Sequence, residues 1–337
     1  MIESMKAAGI ATTEGTAPAP GFPMISEEVV FPVELSHTGK QHIAATLYAP
    51  QVVGASPVAL VAVPGGTYDR SYWDLRVPGR ARYSFAEAAV ARGYIVLALD
   101  NLGTGASSRP EDVDKITVAE MAEAVARATE AFAAGLRAGS LAGLTARPEV
   151  RVHGVGHSLG GQVLVTAQAH HRPFERIAVL GSSFLGTVLG GSYSEDGETT
   201  LTTNQQAQLL RQISGETWES GYLNVPREAL RPFFHADDVP DEVLRAEEAG
   251  VTVLPREAAI DVYRAELLGP VSRKVDVPVF LTYGELDGSP NPAGEVAEFA
   301  GSRDVTLFRL PGSAHCHNVA TTRHVLWRRL LAWLAID

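Results

Sequence analysis

Six short apolar runs, at 58–63, 94–99, 150–155, 177–180, 277–282 and 305–310, recur along the chain with longer helical stretches between them. A strand that alternates apolar and polar residues has one wet face. A run without that alternation has none, and it must be covered on both sides. Helical patterning fills 84–91, 118–138, 159–170, 293–300 and 319–334. Strands covered on both faces and joined by helices predict an α/β fold with a mostly parallel, doubly wound sheet. Ahead of them, 28–35 and 42–48 are rich in β-branched and apolar residues and flank His37-Thr-Gly-Lys40. This pattern predicts an N-terminal antiparallel hairpin at the sheet edge.

The rhythm fails once, between 180 and 277, a distance far too long for a crossover. That segment opens with a glycine-rich stretch from Gly186 to Gly197 and has helical patterning at 203–214, 241–249 and 256–267. It also carries Trp218, Tyr222, Phe233, Phe234 and Tyr263. Open α/β sheets bind ligands at the carboxyl ends of their strands, so residues 184–270 are expected to form a helical cap over that edge. The plainer alternative is a helical insertion packed for stability alone. The core is then 27–183 with 271–337, and the small, Pro-rich stretch 1–26 is expected to be a flexible tail.

Of 337 residues, 45% are apolar and 20% charged, enough for a sizeable core. A net charge of −11, from 28 basic and 39 acidic residues, repels polyphosphates and argues against nucleic acid as a partner. No run is long and apolar enough for a membrane span, and the N-terminus lacks the pattern of a secretory leader. A soluble, cytoplasmic protein is expected, with a small molecule as its partner and a homodimer compatible with the sequence. The single cysteine, Cys316, allows neither an intramolecular disulfide nor a thiolate zinc site of its own.

Chemistry concentrates after the run 150–155, where Gly156-His157-Ser158-Leu159-Gly160-Gly161 leads into a helical stretch. A G-x-S-x-G segment between strand and helix forces the serine onto a tight turn, and its glycines remove side chains that would clash there. Ser158 is thus the candidate nucleophile. The N–H of Leu159, at the start of the helix, is a candidate oxyanion donor. A neutral serine needs a base, and the base needs a carboxylate to fix its tautomer. Glu285 and Asp287 follow the penultimate run, and His315 and His317 follow the last, so acid and base candidates lie on the edge that carries Ser158.

These segments resemble the α/β-hydrolase superfamily, as a serine esterase or lipase-like member with a cap insertion. The resemblance is carried by Gly156–Gly160, the Asp287 and His315 segments, Val-Pro-Gly-Gly-Thr at 63–67 and Asp-Asn-Leu-Gly-Thr-Gly-Ala-Ser at 100–107. It implies a triad of Ser158, Asp287 and His315 in the chain order of that fold. It also implies a second oxyanion donor on the loop after the third strand, Gly66 first and Thr67 second; Pro64 stands where the family often has histidine. The expected reaction is hydrolysis of a carboxylic ester or lactone through an acyl-enzyme, without a cofactor. Thioester, amide or C–C cleavage would use the same groups, and a non-catalytic small-molecule-binding relative is the alternative from another class. His157, Tyr68, Trp218, Tyr222, Phe233 and Phe234 are the expected substrate contacts.

Other residues have blander readings. His153 alternates within a buried strand and is expected to be a core histidine. His170 and His171 are adjacent on a helix and share no face, and His235 with Asp237 and Asp238 falls in the cap, so no metal is expected. Gly154-x-Gly156-x-x-x-Gly160 does not have dinucleotide-binding spacing. Cys316 is expected to be a packed thiol.

Overall fold

The central apolar runs become strands in which nearly every residue is buried. In chain order the strands are β1 (Met24–Leu35), β2 (Gly39–Pro50), β3 (Val58–Val63), β4 (Ile95–Leu99), β5 (Arg151–His157), β6 (Ile177–Leu180), β7 (Tyr222–Leu223), β8 (Leu254–Pro255), β9 (Val279–Tyr283) and β10 (Val305–Arg309). The helices are α1 (Phe85–Val90), α2 (Val118–Ala138), α3 (Leu159–His171), α4 (Thr203–Ser214), α5 (Arg227–Phe234), α6 (Asp241–Glu248), α7 (Arg256–Asp261), α8 (Ala265–Ser272), α9 (Glu295–Glu298) and α10 (Arg323–Leu334). This computed structural model describes residues 24–188 and 202–336. Most of the expected tail, and the glycine-rich stretch from 189 onward, lie outside the described residues.

Eight strands form one sheet in the order β1-β2-β4-β3-β5-β6-β9-β10. The β1–β2 and β2–β4 pairs are antiparallel and all the others parallel. This is the α/β-hydrolase fold, a mostly parallel sheet with an antiparallel hairpin at its N-terminal edge. The hairpin begins earlier than the apolar pattern implies: Met24 pairs with Pro50, so residues 24–26 of the expected tail are strand. Its turn docks on α2, where Glu120 accepts from Thr38 N at 2.8 Å and Glu123 from Ser36 N at 3.1 Å.

Three expected helices are shorter than their periodicity. The stretch 256–267 splits into α7 and α8 where Tyr263 N donates to Ile260 O (3.1 Å) and Arg264 N to Asp261 O (3.0 Å) in tight turns; there the Asp261 carboxylate accepts from Val118 N at the start of α2 (3.1 Å) and from Arg264 (2.8 Å). The final helix starts only at Arg323, because residues 315–320 are held in a packed loop. There Asn318 Oδ1 accepts from Trp327 Nε1 at 2.8 Å. Likewise α9 spans only Glu295–Glu298 of the expected 293–300.

The connection between β6 and β9, called the cap below, carries α4 to α8 and is bonded to the core at many points. Asp69 N donates to Gly250 O (3.0 Å), Thr252 N to Thr67 O (3.0 Å) and Ala258 N to Ile116 O (3.1 Å). Glu295 braces the start of the connection from the other side. Its Oε1 accepts from Ser183 and Ser289 hydroxyls, both at 2.6 Å, and Oε2 from Phe184 N at 2.9 Å.

Burial, opposed by those hydrogen bonds, pushes the Glu295 pKa up to about 7 from an ordinary 4.5. Folding therefore takes up a proton between these values. The associated stability is complete below about 4.5 and is lost as the pH rises through about 7. Glu295→Gln is expected to flatten this part of the stability–pH curve and to exceed wild type at pH 8 by on the order of 2 kcal/mol. Urea denaturation at pH 5, 6.5 and 8 measures it, and equal slopes for the two proteins would show that Glu295 is ionised throughout.

Candidate active site

Ser158 sits between β5 and α3 with φ +53° and ψ −124°, a conformation that L-residues avoid. Glycine neighbours make it possible. A Cβ on Gly156 would stand 2.5 Å from Gly160 O, and one on Gly160 would stand 2.3 Å from Pro64 O. The turn is tied to the next strand by Ser158 N donating to Leu180 O at 2.8 Å, and Ser182 Oγ donates to Ser158 O at 2.7 Å. Ser158 is half-buried.

The loop after β3 packs directly on this turn. A Cβ on Gly65 would meet His157 Nδ1 at 2.8 Å and Ser158 Cβ at 3.2 Å, and one on Gly66 would lie 3.7 Å from the Leu159 side chain. Asn101 Nδ2 anchors the loop through Pro64 O at 3.0 Å. Thr67 has φ +68° and is gripped from the cap by Arg227, whose guanidinium donates to Thr67 Oγ1 (2.8 Å) and Thr67 O (3.1 Å). Leu159 opens α3, so its N–H has no acceptor within the helix. The three expected oxyanion residues, Leu159, Gly66 and Thr67, thus converge beside Ser158.

Asp287 lies in the turn after β9 and His315 in the loop after β10. His315 Nδ1 and Asp287 Oδ1 are 2.6 Å apart, which leaves Nε2 of the imidazole free for a serine hydroxyl. Asp287 is buried and also accepts from Gly284 N and Gly288 N, each at 2.7 Å. Burial alone would raise its pKa. The imidazoles of His317 and His315 outweigh it and hold the carboxyl far below the usual range. Of the competing residues, His317 bonds the same carboxylate rather than facing the serine turn, and Glu285 is exposed.

The cap completes the site. His315 N and Cys316 N donate to Phe233 O (3.1 Å) and Phe234 O (2.9 Å), and the Phe233 ring stacks on His315 at 4.4 Å between centroids. Ser158, His315, Gly66, Thr67 and Leu159 line one cavity with Phe233, Phe234, Leu210, Ile213, Val225 and Leu254. Among the described residues, only His315 and Tyr263 of its lining side chains are titratable.

Four expected contacts do not line it. His157 is fully buried, stacked on Tyr72 at 4.6 Å with Nε2 donating to His315 O at 2.8 Å, so it supports the histidine loop from behind. Tyr68 lies under Arg227 (3.9 Å), with its hydroxyl on Glu247 and 3.1 Å from Cys316 Sγ. Trp218 sits between the guanidinium groups of Arg211 and Arg256, at 5.8 and 5.7 Å, and Tyr222 Oη donates to Pro110 O at 2.7 Å. Both bind the cap to itself and to the core.

Sequence reasoning missed Gln162, Gly181 and the aliphatic wall of the cavity. Gln162 had a signal: it is polar within an apolar helix, one turn after Ser158, and its Nε2 donates to Ser183 O at 3.0 Å. His235, Glu247 and Cys316 lie close enough to share an ion. They also satisfy one another through Tyr68: His235 Nε2 is 3.0 Å from Glu247, which in turn bonds the tyrosine.

The sequence pattern of the alpha/beta hydrolase family matches residues 60–325. A search of curated proteins finds no match. Among solved structures, an esterase from Thermogutta terrifontis superposes with a TM-score of 0.61 at 14% identity, covering 90% of this chain and 98% of its own. An enol-lactonase from Burkholderia xenovorans gives 0.61 at 15%, covering 90% and 100%. The peroxisomal α/β-hydrolase Lpx1 of Saccharomyces cerevisiae gives 0.56 at 12%, covering 92% and 89%. At such identities these likenesses speak to the fold, and no described helix is long and apolar enough to cross a membrane. With the family pattern spanning the core and the cap alike, the chain belongs to the alpha/beta hydrolase family.

Proposed function

We propose that this chain is a serine hydrolase that cleaves a carboxylic ester or lactone of a neutral, medium-sized, largely apolar substrate. The observation that carries this reading is one apolar cavity lined by both Ser158, on its strained turn, and His315, bonded to Asp287. His315 Nε2 takes the Ser158 proton as Oγ attacks the carbonyl carbon. Asp287 holds the Nδ1–H tautomer and stabilises the imidazolium. The N–H groups of Leu159 and Gly66, with Thr67 as the alternative, receive the oxyanion. The imidazolium then protonates the leaving alkoxide, and water, activated by the same base, releases the acid and regenerates Ser158.

The walls support the substrate class. Leu210, Ile213, Val225, Leu230 and Leu254 offer no partner for a charged acyl group, and an unpaired charge in such surroundings costs several kcal/mol.

Ser158→Ala is expected to lower kcat/KM for p-nitrophenyl butyrate by at least about 10⁴-fold and to abolish labelling by a fluorophosphonate, with an unchanged circular dichroism spectrum. Labelling that persists in the variant would move the nucleophile elsewhere. The cavity assignment makes a separate prediction. Leu210→Trp fills the acyl wall and is expected to shift the octanoate-to-acetate kcat/KM ratio toward acetate by roughly tenfold. Trp218→Ala, outside the wall, is expected to leave that ratio alone; the reverse pattern would put the acyl chain against the outer cap.

A further inference from the structure

His317 has no part in the proton transfer proposed above, yet it is fully buried beside it. Its Nε2 lies 2.8 Å from Asp287 Oδ2, while His315 Nδ1 lies 2.6 Å from Oδ1. One carboxylate thus carries two imidazoles, one on each oxygen, with Gly284 N on Oδ2 and Gly288 N on Oδ1. An ionised carboxylate only accepts, so His317 Nε2 must carry a proton. Its Nδ1 is buried without a hydrogen-bond partner.

The surroundings keep the charge on Asp287. His157 lies 4.8 Å from His315 and 5.6 Å from His317 between ring centroids, and burial, then the two imidazoles, hold its pKa well below the ordinary value. Tyr72 from the one-turn helix at Arg70–Trp73, Tyr283 from β9 and Cys316 from the histidine loop all face the cluster. Burial first of all raises the pKa of each and keeps it protonated. Glu247 and Arg227 stand behind Cys316 and Tyr68.

We infer that His317 is a positioning residue for this site: its Nε2–H holds the second oxygen of Asp287, keeping the first aligned on His315 and sharing the carboxylate's charge. The inference rests on the triad reading above. It follows that His317 weakens the hold of Asp287 on a protonated His315. A base that must first accept the serine proton and then give it to the leaving group works best when neither state is trapped. Two backbone N–H groups already orient the carboxylate, so the distinctive effect of His317 is electrostatic and shows in a titration.

The test compares His317→Leu, which removes the donor at similar volume, with His317→Gln, whose amide N–H reaches about as far. In the leucine variant the acid limb of kcat/KM is expected to move up by about half a pH unit or more. Its kcat is expected to fall roughly tenfold with little change in KM. The glutamine variant restores most of both. A second readout is independent of turnover: the low-field proton resonance of His315 Nδ1–H should shift in the leucine variant and return in the glutamine one. A folded leucine variant with an unmoved limb and an unmoved resonance overturns the inference while leaving the triad intact. Should wild type hydrolyse no ester and take no fluorophosphonate, the triad reading fails by itself, and the resonance still decides whether His317 governs the Asp287–His315 bond.

Discussion

The backbone conformation of Ser158 is the constraint around which the rest of the molecule is arranged. A residue held at φ +53° and ψ −124° carries strain of order 1–3 kcal/mol and persists only where its surroundings over-determine it. Here they do so from three sides. Gly156 and Gly160 let β5, the turn and the start of α3 approach closer than any side chain would allow. Leu180 O fixes the serine N–H from β6. The carbonyls of Val63 and Pro64 press on Gly160 from β3. Bringing those carbonyls so near also brings the loop 64–67 beside the serine, so the contact that makes the turn possible places Gly66 and Thr67 on the same cavity as Ser158.

The cap is bonded to the same loops that the site depends on. Phe233 O and Phe234 O receive the N–H groups of His315 and Cys316, and Arg227 and Thr252 hold Thr67. A rigid-body swing of the cap would break these bonds and release both loops. The helices of the cap therefore do two jobs at once: Leu210, Val225 and Phe233 form the cavity wall, while the backbone around Phe233 and the Arg227 side chain set the geometry of the floor.

Much of this was legible in the sequence where the signal is local. The doubly wound sheet follows from unalternating apolar runs, and the serine turn from two glycines flanking Ser158 at fixed spacing. Asp287 and His315 could be narrowed by their places after β9 and β10, though choosing them over Glu285 and His317 needed the family pattern. What stayed hidden depends on contacts far apart in sequence. Trp218 and Tyr222 read as pocket aromatics because an insertion rich in rings invites that reading. Their environments are set by Arg211, Arg256 and Pro110, which no spacing rule connects to them. For His157 the sequence left packing and pocket lining both open, because successive side chains on a tight turn diverge; its ring is buried against Tyr72, which is packing. Aliphatic residues such as Leu210 and Val225 line the cavity without any sequence mark that separates them from core leucines and valines.

Two buried carboxylates eight positions apart show how donors, rather than burial, assign roles. Asp287 and Glu295 are both withdrawn from water, and burial raises the pKa of each. Asp287 faces two imidazoles and two backbone N–H groups, and its pKa falls far below the ordinary value. Glu295 faces two hydroxyls and one backbone N–H, none of which can take up a proton to balance its charge, and its pKa rises to about 7. In the hydrolase reading proposed above, a carboxylate that must stabilise a transient imidazolium has to keep its charge through the cycle, whereas one that braces the start of the cap needs only its hydrogen bonds, which a neutral carboxyl also makes. The same segment of chain thus supplies a fixed negative charge behind His315 and a neutralisable brace at the start of the cap, and only the hydrogen-bonding partners distinguish them.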